Sequence, residues 1–378
     1  MKNILLTTTA LVAFAGAAAA DGHTSVSHAL SATLGYTDNS NFGSADVIKS
    51  DDDLYGENGF FWEGNLKTTA TAALDNGVTA GAYFEITVAD DGAGADGGNA
   101  LTASDFVLSL TSETASLYFG DTSMAATKRW KSAGDMEADG FSTDSDQAVM
   151  RGDVTFGDVS GSVSYVFDDT NDATEQLSLG ASGSFGAFGF AAAYQEAASV
   201  GYDNGNLDFF NSEVMGVSAN GTFGGATVTV AYADNTTADT TSTAIQVAYP
   251  MGPVTATAYY SKEQKGGVDA VSGDNMGLTL AYAQDAVAVT LKVRDEQGRN
   301  EWNLEGSYDM GNGATVLAGA LNENEGADAD FYIGGTYDLG GGASLLAVYA
   351  DDKDRDQADE IGSGEYDPGM TVAVSFTF

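Results

Sequence analysis

From about residue 147 to the C-terminus, apolar side chains alternate with small or polar ones, and the alternation breaks at short intervals into Gly- and Asp-rich turns. Leu177/Leu179/Ala181, Val228/Val230/Tyr232, Leu278/Leu280/Tyr282 and Val287/Val289/Leu291/Val293 all repeat with a period of two. That period predicts strands and argues against helices. The last segment shows the division most clearly. Val372, Val374, Phe376 and Phe378 share one face, and Thr371, Ala373, Ser375 and Thr377 share the other. A strand with lipid on one side and water on the other needs this pattern, because a membrane barrel is apolar outside and wet inside.

Alternation alone does not separate a membrane barrel from a soluble sandwich. The strand ends do. Phe156, Phe185, Phe223, Tyr249, Tyr308 and Tyr337 each stand just before a tight turn, and Tyr165, Tyr194, Tyr232 and Tyr260 stand toward the far strand ends. Two such rows match aromatic girdles at the membrane–water interfaces. The connections alternate as well. One set has two to four residues, while the other is long, acidic and Gly-rich: Asp38–Gly59, Ala89–Thr102, Asp168–Thr174, Ala197–Ser212, Asp234–Thr240, Lys262–Asp274, Leu321–Asp328 and Asp351–Pro368. Short turns at one end and long loops at the other fit an outer-membrane barrel. The periodicity gives about ten hairpins, hence twenty strands. The first, near Ser25–Tyr36, is expected to pair with the last.

Composition narrows the picture. The 378 residues hold 55 acidic and 14 basic side chains, a net charge of −41, and no cysteine. Residues 1–20 read as a secretory signal, with Lys2 as the positive region, Ile4 to Phe14 as the apolar region and Ala18-Ala19-Ala20 before the cut. Its removal takes one lysine and no acid, leaving −42 on residues 21–378. No later apolar run approaches the ~18 residues of a spanning helix, so any crossing must use strands. The acidity argues against nucleic acid as a partner.

One connection departs from the rest. The loop of about 121–146 carries Lys128, Arg129 and Lys131 beside Trp130, Met124 and Met136, followed by the acids Asp135, Glu137 and Asp139. Both charge signs and large apolar side chains suit a segment packed inside the barrel. Ser123 is placed to cap a short helix entering Ala125-Ala126. Strand parity sends Lys67 and Glu63, Arg151 and Asp153, Lys292 and Arg294, and Glu301, Glu305 and Asp309 inward. A Lys or Arg on the lipid face would cost about 2–4 kcal/mol at the midplane. The expectation is that Lys67 and Arg151 oppose Asp135, Glu137 and Asp139 across a constriction, with Lys128, Arg129 and Lys131 adding positive charge on the loop itself.

The leader, the Gly120-Asp121 step into this loop, the hairpin Tyr337-Asp338-Leu339-Gly340-Gly341-Gly342-Ala343-Ser344 and the terminal Phe378 together resemble a Gram-negative general diffusion porin of the kind known from purple non-sulfur photosynthetic bacteria. The resemblance implies an all-β transmembrane antiparallel barrel of sixteen strands, against twenty from periodicity. It also implies a third loop folded into the lumen and a homotrimer in the cell outer membrane among lipid and lipopolysaccharide. Phe378 would serve there as a signal to the barrel-assembly machinery. The implied function is passive diffusion of small hydrophilic solutes and ions, without catalysis; the acidic long loops add the expectation of a weak cation preference, which Lys128, Arg129 and Lys131 oppose locally. A substrate-specific channel and a secreted acidic β-rich adhesin are the alternatives.

Other chemistry finds little support. His23 and His28 are the only histidines, and there is no nucleophile elbow or phosphate loop. Asp51-Asp52-Asp53, Asp144/Asp146 and Asp351-Asp352 offer oxygen ligands for weakly bound Ca2+, but none has the spacing of a defined site, and solvated charge is the preferred reading. No cofactor is expected.

Overall fold

A computed structural model of the chain describes residues 14–15, 24–38, 59–90, 102–143, 149–167, 174–198, 211–266, 273–322, 329–351, 366 and 368–378. The acidic clusters Asp51-Asp52-Asp53 and Asp144/Asp146, together with Asp352 and His23, lie outside these residues.

A two-residue strand, β1 (Phe14–Ala15), falls within the predicted leader and pairs with Ser27 and His28. The wall starts with β2 (Thr24–Asp38), β3 (Gly59–Ala73), β4 (Thr79–Asp90), β5 (Thr102–Thr111) and β6 (Ala115–Gly120). After the third long connection come β7 (Val149–Phe156), β8 (Val159–Phe167), β9 (Thr174–Phe185), β10 (Phe188–Gln195) and β11 (Val214–Phe223). Next are β12 (Ala226–Asn235), β13 (Thr240–Met251), β14 (Val254–Lys265), β15 (Asp274–Gln284) and β16 (Val287–Glu296). The wall ends with β17 (Arg299–Gly311), β18 (Ala314–Asn322), β19 (Asp330–Gly340), β20 (Ala343–Asp351) and β21 (Gly369–Thr377).

Each strand from β2 to β21 pairs antiparallel with its neighbours in sequence, and β2 pairs with β21 from Ser31↔Thr377 to Asp38↔Met370. Leu30 and Phe378 complete the seam by exchanging two backbone hydrogen bonds of 3.0 and 2.8 Å. The result is a closed ring of twenty strands, the number read from the periodicity. The sixteen strands implied by the resemblance are thereby corrected, because every hairpin of the repeat is a separate pair of wall strands. Closure leaves no open sheet edge, as a membrane barrel requires. No helix among the described residues is long and apolar enough to cross a membrane.

The pleat sorts the side chains as the alternation predicts. Phe156 and Phe185 are 90% and 84% exposed on the outside, beyond what contact with water would favour for a phenyl ring. Phe223, Tyr249, Tyr308 and Tyr337 extend this row, and Tyr36, Phe60, Tyr165, Tyr260, Trp302 and Tyr349 form the other. The long-loop end is less uniform than the sequence predicts. β12 and β13 are joined by residues 236–239 alone, and β16 and β17 by Gln297-Gly298. Buried side chains concentrate on the inner face, where loop segments cover the wall.

Candidate functional site

The third long loop leaves β6 at Gly120, whose φ of 115° suits glycine, and turns inward. The Phe106 N–H donates to the Asp121 carboxylate at 2.5 Å, and the Asp121 N–H donates to the Phe106 carbonyl at 2.8 Å. Arg151 on β7 then holds the first turn. Its Nη1 donates to Thr122 Oγ1 at 2.7 Å and to the Ser123 carbonyl, its Nε meets Asp153 at 3.2 Å, and its guanidinium lies 4.7 Å from the Tyr118 ring centroid. Only 3% of the side chain is exposed. Arg129 reaches the same Asp153 at 3.8 Å and donates to Ser162 Oγ at 2.8 Å.

Between these anchors runs α1 (Ala125–Arg129). Met124 occupies its N-cap position and no loop side chain caps it, which corrects the expectation for Ser123. The barrel wall takes over that role. Ala125 N–H donates to Ser164 Oγ at 2.9 Å and Ala126 N–H to Ser178 Oγ at 2.8 Å. These bonds satisfy two of the donors that a helix start leaves unpaired. A 3-10 turn at Glu137–Asp139 docks in the same way: Ala138 N–H donates to Ser242 Oγ at 2.9 Å, and Asn275 Nδ2 donates to Glu137 Oε1 at 3.1 Å. The loop returns through Ser142, whose N–H donates to Gln195 Oε1 at 2.7 Å.

Packing fixes the loop as firmly as hydrogen bonding. Ala133, Met136 and Ala138 bury against the wall residues Ala231, Ala233 and Ala244, with Trp130 packed alongside. The Trp130 ring lies 5.5 Å from that of Phe141. Small wall residues make this contact physically allowed. A Cβ on Gly180 would stand 2.2 Å from the Ala125 carbonyl oxygen, and one on Gly216 would stand 2.5 Å from the Trp130 ring.

The loop therefore lines the inner wall from Arg151 on β7 to Asn275 on β15, and its exposed charges are Lys128, Lys131 and Glu137. Asp135 is half-buried, and burial followed by the nearby Glu296 raises its pKa, while Arg294 opposes the rise. Asp139 is pushed up to about 6, mainly by burial, although the hydrogen bond from Trp130 acts in the other direction.

Of the sequence-predicted residues, the structure brings Asp135, Glu137 and Asp139 into one short stretch of the loop, and Arg129 and Arg151 onto Asp153. Arg151 spends its guanidinium on the start of the loop rather than presenting it to the acids. Lys67 is 45% exposed and pairs with Glu85 at 2.9 Å, a carboxylate that also accepts from Tyr83. The basic group whose charge is felt at Asp135 is Arg294. It belongs to a cluster missing from the expected set: Arg294 pairs with Glu301, and Arg299 pairs with Glu301 at 2.7 Å and Glu296 at 2.8 Å. Inward parity of Arg294 and Glu301 was a usable signal, but the tight turn that adds Arg299 was not recognised. Among the described residues no group of three or more His, Asp or Glu is arranged to hold a metal ion.

No curated protein sequence matches this chain. Two solved structures similar to it are engineered triple variants of the porin from Rhodopseudomonas blastica. One is 18% identical with a TM-score of 0.41, the other 17% identical with a TM-score of 0.40, and each alignment covers 94% of this chain and 100% of the other. The sequence profile of the family described as Gram-negative porin matches residues 7–357. That match takes in every wall strand from β2 to β20 together with the in-folded loop, and the chain belongs to the Gram-negative porin family, the barrels that form channels in the outer membrane.

Proposed function

We propose that the chain forms a water-filled channel for passive diffusion of small hydrophilic solutes and ions, with a weak preference for cations. The observation that carries this reading is a closed ring with charged side chains on its inner face and one loop seated against that face. With strands ~4.8 Å apart and tilted ~40°, a ring of twenty has a backbone radius of about 20 Å, wide enough for water on the unoccupied side. Movement follows concentration gradients and needs no cofactor. Lys67, Lys128, Lys131, Asp135 and Glu137 act as the field-setting charges of the constriction. Arg129 and Arg151 keep the loop in place, and Asp139 joins its two ends by accepting from the Trp130 indole N–H. The cation preference rests on the charge of −42 carried by residues 21–378, which gives the vestibule a negative potential.

The same reading makes the protein a homotrimer, exported by residues 1–20 and inserted by the barrel-assembly machinery with Phe378 as its signal, among lipid and lipopolysaccharide. Cleavage after Ala20 would remove β1 and its short pairing. Purified protein in a planar bilayer tests the core of the proposal. Stepwise conductance with a reversal potential favouring cations is expected. Absence of conductance overturns the channel, and an anion-favouring potential overturns the selectivity.

A further inference from the structure

The inner face of β14 to β17 carries one row of facing residues. Tyr259 stands across from Gly277, Gly277 from Arg294, and Arg294 from Glu301. Glycine leaves a gap in that row, and the Tyr259 ring fills it. A Cβ on Gly277 would stand 2.3 Å from Tyr259 Cε1 and 2.7 Å from its Cζ. The ring therefore lies over β15 instead of standing out into the lumen. Phe61 over Gly35 and Tyr332 over Gly319 repeat the arrangement, so a ring folded onto a facing glycine is a general feature of this wall.

What distinguishes Tyr259 is a second glycine, which comes from the third loop. Gly134 has a φ of 89°, a left-handed conformation that suits glycine, and a Cβ there would stand 2.4 Å from Tyr259 Cγ and 2.5 Å from its Cδ2. Gly277 thus meets the hydroxyl end of the ring, and Gly134 meets the end nearest the backbone. The loop on either side of this point has its own anchors. Ala133 and Met136 are buried against Ala231, Ala233 and Ala244, and Glu137 accepts from Asn275 Nδ2 at 3.1 Å. Gly134 and Asp135 make the bend between those anchors, and the aromatic ring is the surface beneath it. Asp135 feels the charges of Glu296, Arg294 and Glu301 from the adjoining wall. The level at which the ring lies therefore fixes how far the bend stands from those groups.

We propose that Tyr259 is the positioning residue for the tip of the third loop: Gly277 lays the ring on the wall, Gly134 rests on the ring, and Asp135 is thereby held beside the Arg294 cluster. The inference rests on the diffusion-channel reading, because the position of the tip is read through the current. Tyr259 acts by the thickness and flatness of its ring. Without that seat the bend has only the lumen to move into, and a freed tip obstructs the current intermittently.

The test compares the full-length wild-type protein with Tyr259→Ala, Tyr259→Phe, Gly277→Ala and the double variant Gly277→Ala/Tyr259→Ala in single-channel recordings. Heat-modifiable migration selects folded protein. Tyr259→Leu replaces Tyr259→Ala if the latter does not fold, since it keeps an apolar side chain and loses the flat ring. Tyr259→Ala should lower the mean conductance and add brief closures to the open-channel record. Tyr259→Phe keeps the ring and should behave as wild type. Gly277→Ala pushes the ring off the wall and should also add closures. The double variant should match Tyr259→Ala alone, because Gly277 reaches the loop through the ring and the added methyl group has room once the ring is gone. Wild-type conductance and noise in Tyr259→Ala overturn the inference. A higher, quiet conductance does so too, since it means that the ring only occupied volume. Equal added effects of Gly277→Ala with and without the ring overturn it as well, by placing the glycine's role in the wall. A wild-type protein without conductance refutes the channel reading instead, so the two failures are distinguishable.

Discussion

The indole N–H of Trp130 donates to the carboxylate of Asp139 at 2.8 Å and ties the end of α1 to the 3-10 turn within one loop. Asp139 is an acid whose pKa rises from 3.8 to about 6 by burial. A raised acid pKa means that the docked loop keeps its proton at pH values where the undocked loop has lost it. Docking is therefore firmest below about pH 4, weakens as pH rises to about 6, and is constant above that. Asp139→Asn keeps an acceptor oxygen for the indole and removes the charge. It should strengthen docking at neutral pH by on the order of 2 kcal/mol and flatten the dependence on pH. Open-channel noise recorded from pH 4 to 7 reads this directly, and an unchanged pH profile in the variant would falsify the assignment.

Gly216 lies against Trp130 so closely that even a methyl group conflicts with the ring. Gly216→Ala should weaken loop docking by about 1–3 kcal/mol through overpacking. The chain has no cysteine, so Ser142→Cys, at a fully buried position, provides a clean reporter. Its reaction with a small thiol reagent should be slow in the parent and faster with Gly216→Ala. Equal rates would show that the wall tolerates the methyl group.

The wall serines that cap α1 make a separate prediction. Ser164→Ala and Ser178→Ala each leave one helix-start N–H without its acceptor, a loss of about 1 kcal/mol apiece by analogy with ordinary N-caps. Global barrel stability should hardly change, because the ladder pairs remain. The labelling rate at the cysteine reporter should rise for both variants. If melting of the whole barrel shifts while the reporter rate stays fixed, the serines act on the wall and not on the loop.

Selectivity should respond with opposite signs on the two sides of the loop tip. Glu137→Gln and Asp135→Asn remove negative charge and should move the reversal potential toward anions. Arg294→Gln removes the cation nearest in effect to Asp135 and should move it toward cations. Movement of both sets in one direction would mean that loop displacement, rather than charge, controls the current.

Phe378 joins the seam through its backbone bonds to Leu30, and its ring stacks on Phe376 at 6.2 Å between centroids. Deleting it should lower the yield of the heat-modifiable folded form, while Phe378→Trp should preserve it. Equal folded yields after deletion would remove the terminal residue from any role in assembly.

How much of this was legible in the sequence differs between wall and site. The inward parity of Lys67, Glu63, Asp153, Lys292 and Glu305 followed from alternation, since a pleated strand sends successive side chains to opposite faces whatever they touch. Trp130, Met124 and Met136 marked the odd loop as a packed one, because large apolar side chains rarely remain in an exposed acidic connection. The partners were hidden. Arg151 meets Thr122 and Ser123 through a turn of the loop, and Ser164 and Ser178 cap a helix to which no local pattern connects them. The tight turn at Gln297-Gly298, which brings Arg299 to Glu296 and Glu301, was missed because it breaks the trend of long connections at that end.

The sequence by itself determined the barrel: its strands, its lipid-facing side and its twenty-strand count. Those properties are written in a period of two and in the residues of each turn, which are local. Only the tertiary structure decided which side chains meet along the inner wall. Ring closure sets Thr37 beside Thr371, a loop reaches from Arg151 on β7 to Asn275 on β15, and Trp130 finds Gly216. Such contacts depend on the register of the whole ring and on the path of a chain segment through space, and neither leaves a repeating mark along the sequence.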